Sequence, residues 1–382
     1  MRVILAAGGT AGHINPALAI ADKIKLLFPE SEILFVGAPD GMEAKLVKKA
    51  GYNFRAFKMA GLQRKLSVNN IIRNAKAAYY YITARNNAKK LLKKFKPDVV
   101  IGTGGYVCWA PLKAAAEMGI PTVIHESNSV PGLAVRKLEG QVDLILTNFK
   151  STSNSLKEKK KVVNVGNPIR SNFGECSKAD ARARLGIDAD KFLILSFGGS
   201  LGAPALNEAA IDVMKDFAKD KDDVICVHSG GKNYYKNAME LFVAHGLERN
   251  SRLEVKEYIY DMGDYMTAAD VVICRAGAMT LTELAKMHKP AILIPSPNVA
   301  NNHQYKNAQA YAKAGAAVLI EESDLDSQRI VMEMEKIYSD TALREKMGDA
   351  IAKFAYDDVD ERIYEEISKL VKNRSKIKKK GR

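Results

Sequence analysis

Short apolar runs alternate with longer stretches of helical periodicity along the whole chain. In the first half the runs are residues 3–7, 33–36, 98–102, 122–125, 144–147 and 162–165; in the second they are 192–197, 224–229, 253–255, 271–274, 291–294 and 317–320. They are rich in Val, Ile and Leu and lack polar alternation, which predicts strands buried on both faces. Strands separated by helices predict βαβ units and parallel sheets. Near the C-terminus, Ile363, Ile367, Leu370 and Val371 form one narrow apolar stripe at helical spacing.

Two of the runs are followed by the same kind of turn. Residues 3–7 lead into Gly8-Gly9-Thr10-Ala11-Gly12, and residues 192–197 into Gly198-Gly199-Ser200-Leu201-Gly202. Strand, GG[ST]xG, then helix, occurring twice in 382 residues, predicts two Rossmann-like doubly wound domains. Residues 166–170, where Pro168 breaks regular structure, are the expected linker. Small residues at such a turn let backbone N–H groups approach an anion, and the helix dipole favours negative charge. Neither turn is a Walker A loop, since no Gly-Lys-[Ser/Thr] follows, and neither is GxGxxG. One turn alone fits a plain strand-to-helix connection equally well; a pair, aimed at one interdomain cleft, favours a ligand.

Composition narrows the partners. The net charge is +14, which suits a polyanion. No nucleic-acid motif accompanies it, so an anionic membrane surface or a phosphate-rich substrate is expected and nucleic acid is not. Four separate cysteines without a CxxC pair argue against a zinc site or disulfide framework and for buried, reduced thiols. No apolar run is long enough to span a bilayer. The N-terminal residues run straight into the first turn without the pattern of a signal peptide, so a cytoplasmic location is expected.

Several polar clusters follow predicted strands, where doubly wound sheets place ligands. His13 stands at the mouth of the first turn and is a candidate general base. Gly102-Thr103-Gly104-Gly105-Tyr106 and His125-Glu126-Ser127-Asn128 end two strands of the first half. Their turn and ligand readings are comparable. In the second half, Thr280-x-x-Glu283 reads as a capping box or as a helix start that meets a diphosphate. Asn301-Asn302-His303-Gln304 reads as N-capping or as donors and acceptors for a sugar. Ile71, Ile72, Ala75, Tyr79 and Ile82, surrounded by Arg64, Lys65, Arg73 and Lys76, read as a membrane-facing amphipathic helix or as an ordinary packed one. The tail from Lys376 to Lys380 reads as disordered and solvated.

The segments GGTAGHINP, GTGGYVCWAP, PTVIHESN, VGNPIR, SFGGSLGA, EYIYDM, CRAGAMTLTEL and NNHQYKNA occur in that order. In order and spacing they resemble glycosyltransferase family 28, in particular its N-acetylglucosaminyltransferases of peptidoglycan synthesis, over nearly the whole chain. The resemblance implies the GT-B fold, two Rossmann-like domains facing an interdomain cleft. The expected domains are an acceptor-binding one at 1–166, with a C-terminal helix at about 356–372 packing back on it, and a UDP-GlcNAc-binding one at 167–355. A basic tail at 373–382 follows. The implied reaction moves GlcNAc from UDP-GlcNAc to the C4 hydroxyl of MurNAc in lipid I, with inversion, giving lipid II at the cytoplasmic face of the membrane. No cofactor or catalytic metal is implied, because helix dipoles and amides stabilise the departing diphosphate.

Carried onto this sequence, the resemblance gives Thr10, Ala11, Gly12 and Asn128 the sugar side of the donor. Arg170 and Ser200 go near the nucleotide and diphosphate. Ile259 meets the uracil through its backbone. Ala278, Met279, Thr280, Leu281, Thr282 and Glu283 hold diphosphate and ribose, with Glu283 on the ribose, and Gln304 binds the GlcNAc hydroxyls. His13 is the candidate base, with Glu126 as the second. Ala11 replaces an expected Gly, and His303 stands where Gln is frequent. The competing readings are another GT-B enzyme such as a diacylglycerol sugar transferase, a UDP-GlcNAc 2-epimerase, and a nucleotide-sugar sensor without turnover.

Overall fold

A computed structural model describes residues 1–59, 68–169, 173, 174 and 176–380; the side chains of 68–79, 82, 300 and 375–380 are not described. The chain divides into two compact units, Met1–Arg170 with Tyr356–Arg382, and Ser171–Ala355.

The first unit holds one seven-stranded sheet: β1 (Arg2–Ala6), β2 (Glu32–Gly37), β3 (Asn53–Ala56), β4 (Val99–Gly102), β5 (Thr122–Glu126), β6 (Leu144–Thr147) and β7 (Val162–Asn164). Its order is β3-β2-β1-β4-β5-β6-β7, with every pairing parallel. The second unit holds a six-stranded sheet: β8 (Phe192–Phe197), β9 (Val224–Ser229), β10 (Leu253–Lys256), β11 (Val271–Cys274), β12 (Ala291–Leu293) and β13 (Ala317–Leu319). Its order is β10-β9-β8-β11-β12-β13, again parallel throughout.

Both faces of each sheet are covered, which is why the strands read as unbroken apolar runs. In β1, Val3 and Leu5 pack on one side with Ile14, Ile24 and Ile363. Ile4 and Ala6 pack on the other with Leu92, Val107 and Leu112. Among the described residues, only β3 escaped the sequence pattern. It is an edge strand with three of its four residues exposed, so no apolar run marks it.

Helix α1 (Ala11–Leu27) follows β1, and α2 (Met42–Lys49) follows β2. The C-terminal helix Val359–Lys380 lies against α1. Ile363 and Ile367 enter the core, Tyr364 stacks on Phe28 with centroids 5.4 Å apart, and Lys23 pairs with Glu361. Two expectations need correction. The basic tail is helical as far as Lys380, because lysine is a good helix former continuing a helix whose apolar stripe is already docked. Cys176 is half-buried, unlike Cys108, Cys226 and Cys274, because it lies in the loop before the helix Lys178–Leu185, beside Arg184 and Asp264. No helix among the described residues is long and apolar enough to cross a membrane. The amphipathic pattern around residues 64–82 lies outside the residues whose side chains are described.

Candidate active site

The first glycine turn is shaped by contacts the sequence does not announce. Gly104 and Gly105, after β4, adopt φ of 113° and 81°. A Cβ on Gly104 would lie 2.4 Å from the His13 ring, and one on Gly105 would lie 2.2 Å from the Gly8 carbonyl oxygen. Only glycine lets this loop lie flush against the turn after β1. Cys108 holds it from beneath, its Sγ 3.2 Å from the Gly104 amide and 2.9 Å from the Ala6 carbonyl.

His13 is the third residue of α1. Its Nδ1 is 3.2 Å from the Gly8 carbonyl oxygen and 3.3 Å from the Thr10 hydroxyl. A carbonyl can only accept, so the bond to Gly8 forms in the neutral ring only when Nδ1 carries the proton and Nε2 the lone pair, with the Thr10 hydroxyl able to donate or accept. Thr103 fixes the backbone here, its hydroxyl donating to the His13 carbonyl at 2.7 Å.

Beneath the turn lies Glu43 of α2, fully buried. Its Oε2 accepts from the Gly9 amide at 3.2 Å and its Oε1 from the Ala38 amide at 2.8 Å. Added Cβ atoms on Gly8, Gly37 or Gly41 would come within 2.3 to 2.4 Å of this side chain. The first turn therefore already holds an anion, the protein's own, and its Gly9 amide is committed to it. Of the anion-binding amides expected on this turn, that of Gly9 is thus already taken. Glu43 was missed by sequence reasoning; glycines at 37 and 41 closing around one glutamate are the signal that could have found it.

Glu126, at the end of β5, is buried. Its Oε1 accepts from the Asn128 backbone (3.0 Å) and side-chain (3.1 Å) amides, and its Oε2 from the Gly132 amide (2.7 Å). Burial pushes its carboxyl up, against the pull of these bonds. Both oxygens are engaged in shaping the 126–132 loop and presenting Asn128, which suits a holding role better than proton removal. His125 is fully buried, Nε2 against the Gly166 carbonyl at 2.8 Å, and burial lowers its imidazole to about 4.

In the second unit, the turn after β8 packs backbone on backbone. Gly202 (φ 85°) and Gly231 (φ 77°) approach so closely that a Cβ on either would lie 2.1 Å from main-chain atoms of the other loop. A neutral chain supports them: the Ser196 hydroxyl is 2.8 Å from His228 Nδ1, His228 Nε2 is 3.1 Å from Asn207 Oδ1, and Asn207 Nδ2 donates to the Gly230 carbonyl at 3.0 Å. Burial lowers His228 to about 4, so it is uncharged at neutral pH. Neither His228 nor Asn207 was foreseen; His228 sits in an apolar strand run and Asn207 in the helix Pro204–Val213, where a single polar residue looks incidental. Ser200 is exposed on this turn, and its carbonyl accepts from the Lys232 amide at 3.2 Å.

After β11 comes the helix Ala278–Lys286, capped by Gly277. Thr280 is therefore the third helical residue, not the N-cap, and the capping-box reading is corrected: glycine enters the helix here without a side-chain cap. Leu281 and Thr282 face inward, Thr282 bonding to the Ala278 carbonyl at 2.8 Å. First-turn amides, those of Met279 and Thr280 among them, point along the dipole axis where an anion is favoured. Glu283 is half-buried, and desolvation pushes its carboxyl up to about 8. Ile259 is buried between the exposed Tyr258 and Tyr260. Gln304 is the second residue of the helix His303–Lys313, and its Oε1 accepts from the Ser296 amide at 2.9 Å. Asn301 and Asn302 precede that helix in left-handed conformation (φ 59° and 51°), and Asn302 caps it without a side-chain bond. Arg170 lies outside the described residues.

Two all-parallel α/β units, each with glycine-rich turns at the C-terminal strand ends, are the architecture of the GT-B fold. The chain matches the glycosyltransferase family 28 N-terminal domain over residues 3–147 and the family 28 C-terminal domain over residues 193–363; it belongs to that family. It is 40% identical over 374 residues to the UDP-N-acetylglucosamine--N-acetylmuramyl-(pentapeptide) pyrophosphoryl-undecaprenol N-acetylglucosamine transferase of Alkaliphilus oremlandii, covering 98% of this chain and 100% of that one. Identity is also 40%, over 375 residues, to the protein of the same name from Acetivibrio thermocellus, covering 98% of this chain and all of that one. Among solved structures it is similar to Acinetobacter baumannii MurG, with a TM-score of 0.74 and 26% identity, covering 96% of this chain and 99% of that one.

Proposed function

We propose that this enzyme transfers GlcNAc from UDP-GlcNAc to the C4 hydroxyl of MurNAc in undecaprenyl-pyrophosphoryl-MurNAc-pentapeptide, with inversion. The observation that carries the reading is His13, whose Nδ1 is tied to the Gly8 carbonyl so that Nε2 holds the lone pair. Nε2 takes the hydroxyl proton as the C4 oxygen attacks C1 of the donor sugar. The bond from C1 to the β-phosphate oxygen breaks, and its electron pair leaves on UDP.

Amides at the start of the helix Ala278–Lys286 receive the charge developing on the diphosphate. Ser200 lies beside the diphosphate, Glu283 meets the ribose, Ile259 the uracil and Gln304 the GlcNAc hydroxyls. Arg170 serves the nucleotide. Thr10, Ala11, Gly12 and Asn128 contact the sugar, with Asn128 set by Glu126. The net charge of +14 supports peripheral binding to the anionic cytoplasmic membrane face, where a polyprenyl acceptor resides. The acceptor-binding part corresponds to residues 1–166, and the donor-binding part to 167–355.

The test uses purified protein, labelled UDP-GlcNAc and a lipid I analogue. Label in a lipid-linked GlcNAc–MurNAc disaccharide is expected. Label in a diacylglycerol glycolipid, release of ManNAc without acceptor, or binding without turnover would each overturn the proposal in favour of a named competitor.

A further inference from the structure

The bonds around the first turn share one peptide group. The Gly9 amide that donates to Glu43 Oε2 at 3.2 Å and the Gly8 carbonyl that faces His13 Nδ1 at 3.2 Å belong to the same Gly8–Gly9 peptide unit. Glu43 is thereby linked to His13 through a planar, polarisable amide. From the geometry we propose that Glu43, the Gly8–Gly9 peptide and His13 form a carboxylate–peptide–imidazole relay, in which Glu43 is the positioning residue for the base. This rests on the assignment of His13 as base.

The physical argument has three parts. A carboxylate accepting from one end of a peptide makes the carbonyl at the other end a stronger acceptor, because hydrogen bonds in series polarise one another. That carbonyl then holds the Nδ1–H tautomer and favours the imidazolium formed when Nε2 takes a proton. In catalytic triads a carboxylate does this by touching the imidazole directly; here the peptide carries the effect across the turn.

Burial of Glu43 excludes water that would weaken the effect. The Ala38 amide fixes its second oxygen, so the carboxylate cannot rotate away from the turn. The three glycines closing on it leave room for this side chain only in this place. Its side chain is fully buried, so it reaches the base only through the turn.

Two measurements test the relay. In the wild-type protein, the His13 imidazole observed by nitrogen-15 NMR is expected as the Nδ1–H tautomer, and an Nε2–H tautomer would overturn the proposal without any variant being made. The second is a double-mutant cycle on turnover of the lipid I analogue. Glu43→Gln keeps the shape and removes the charge. It is expected to lower kcat about 10- to 100-fold while KM for UDP-GlcNAc changes less than about twofold. In a His13→Ala background it is expected to cost nothing further. An equal loss in both backgrounds, or a loss that appears in KM for UDP-GlcNAc, refutes the relay. If His13→Ala itself leaves turnover intact, it is the assignment of the base that fails, and the two failures are told apart.

Discussion

The two glycine turns share the pattern GG[ST]xG and the same place after the third strand across a parallel sheet, yet they are supported by opposite chemistry. Under the first lies a buried carboxylate, Glu43, which takes the Gly9 amide. Under the second lies an uncharged Ser196–His228–Asn207 chain that ends on the Gly230 carbonyl. They also lean on different neighbours. The first packs against the loop after β4, the second against the loop after β9, on the opposite side of the strand that leads into the turn. An anion placed beneath a turn repels a second anion and strengthens a nearby cation; a neutral support does neither. Under the proposed function, the first turn holds the base that becomes positively charged and the second faces the diphosphate. A shared local motif does not imply a shared task.

The comparison can be broken most decisively at His13. His13→Ala is expected to lower turnover by about 10²- to 10⁴-fold with little change in UDP-GlcNAc affinity; unchanged turnover in a steady-state assay would remove the first turn's special role. Next comes Gly104→Ala, which forces a Cβ against the His13 ring at a φ of 113°. Stability should drop by about 1–3 kcal/mol, and turnover about tenfold or more beyond that, since the base is displaced. Thermal melting beside kcat separates the two effects.

Asn207→Ala strikes the second turn instead. It strands the His228 N–H and the Gly230 carbonyl, at a cost of about 1–3 kcal/mol. Calorimetric titration should show UDP-GlcNAc binding weakened about tenfold. If turnover at saturating donor fell as steeply as in Gly104→Ala, the division of labour between the turns would be wrong.

The smallest effects are on pH dependence. His228 is held near 4 against an ordinary 6.5, so its folded pKa is depressed. The unfolded chain takes up a proton first, and stability present above pH 6.5 is lost as pH falls toward 4. Glu283 has the opposite sign. Its carboxyl is raised from 4.5 to about 8, so stability present below pH 4.5 is lost as pH rises toward 8. In melting curves, Glu283→Gln should gain on the wild type steadily between pH 5 and 8. A constant offset between the two would show that Glu283 ionises normally.

The fold was largely legible. All twelve apolar runs are strands, because a strand covered on both faces must be apolar at successive positions and the sequence records that without reference to distant residues. Strand β3 was not legible, since an edge strand with exposed residues carries no such demand. The capping box at Thr280 misled because the pattern is local, whereas the helix start was set by Gly277 where the chain leaves β11.

What the sequence determined by itself was the alternation of elements, the two glycine turns and His13 at the mouth of one of them. These depend on neighbours within a few residues. What only the tertiary structure decided was the electrostatic character of each turn. Glu43 reaches the first turn from α2, 34 residues along the chain from Gly9, and His228 reaches Ser196 from 32 residues away. A charge or a neutral dipole acts through space over a few ångströms, and which groups come that close is fixed by how strands are ordered in the sheet.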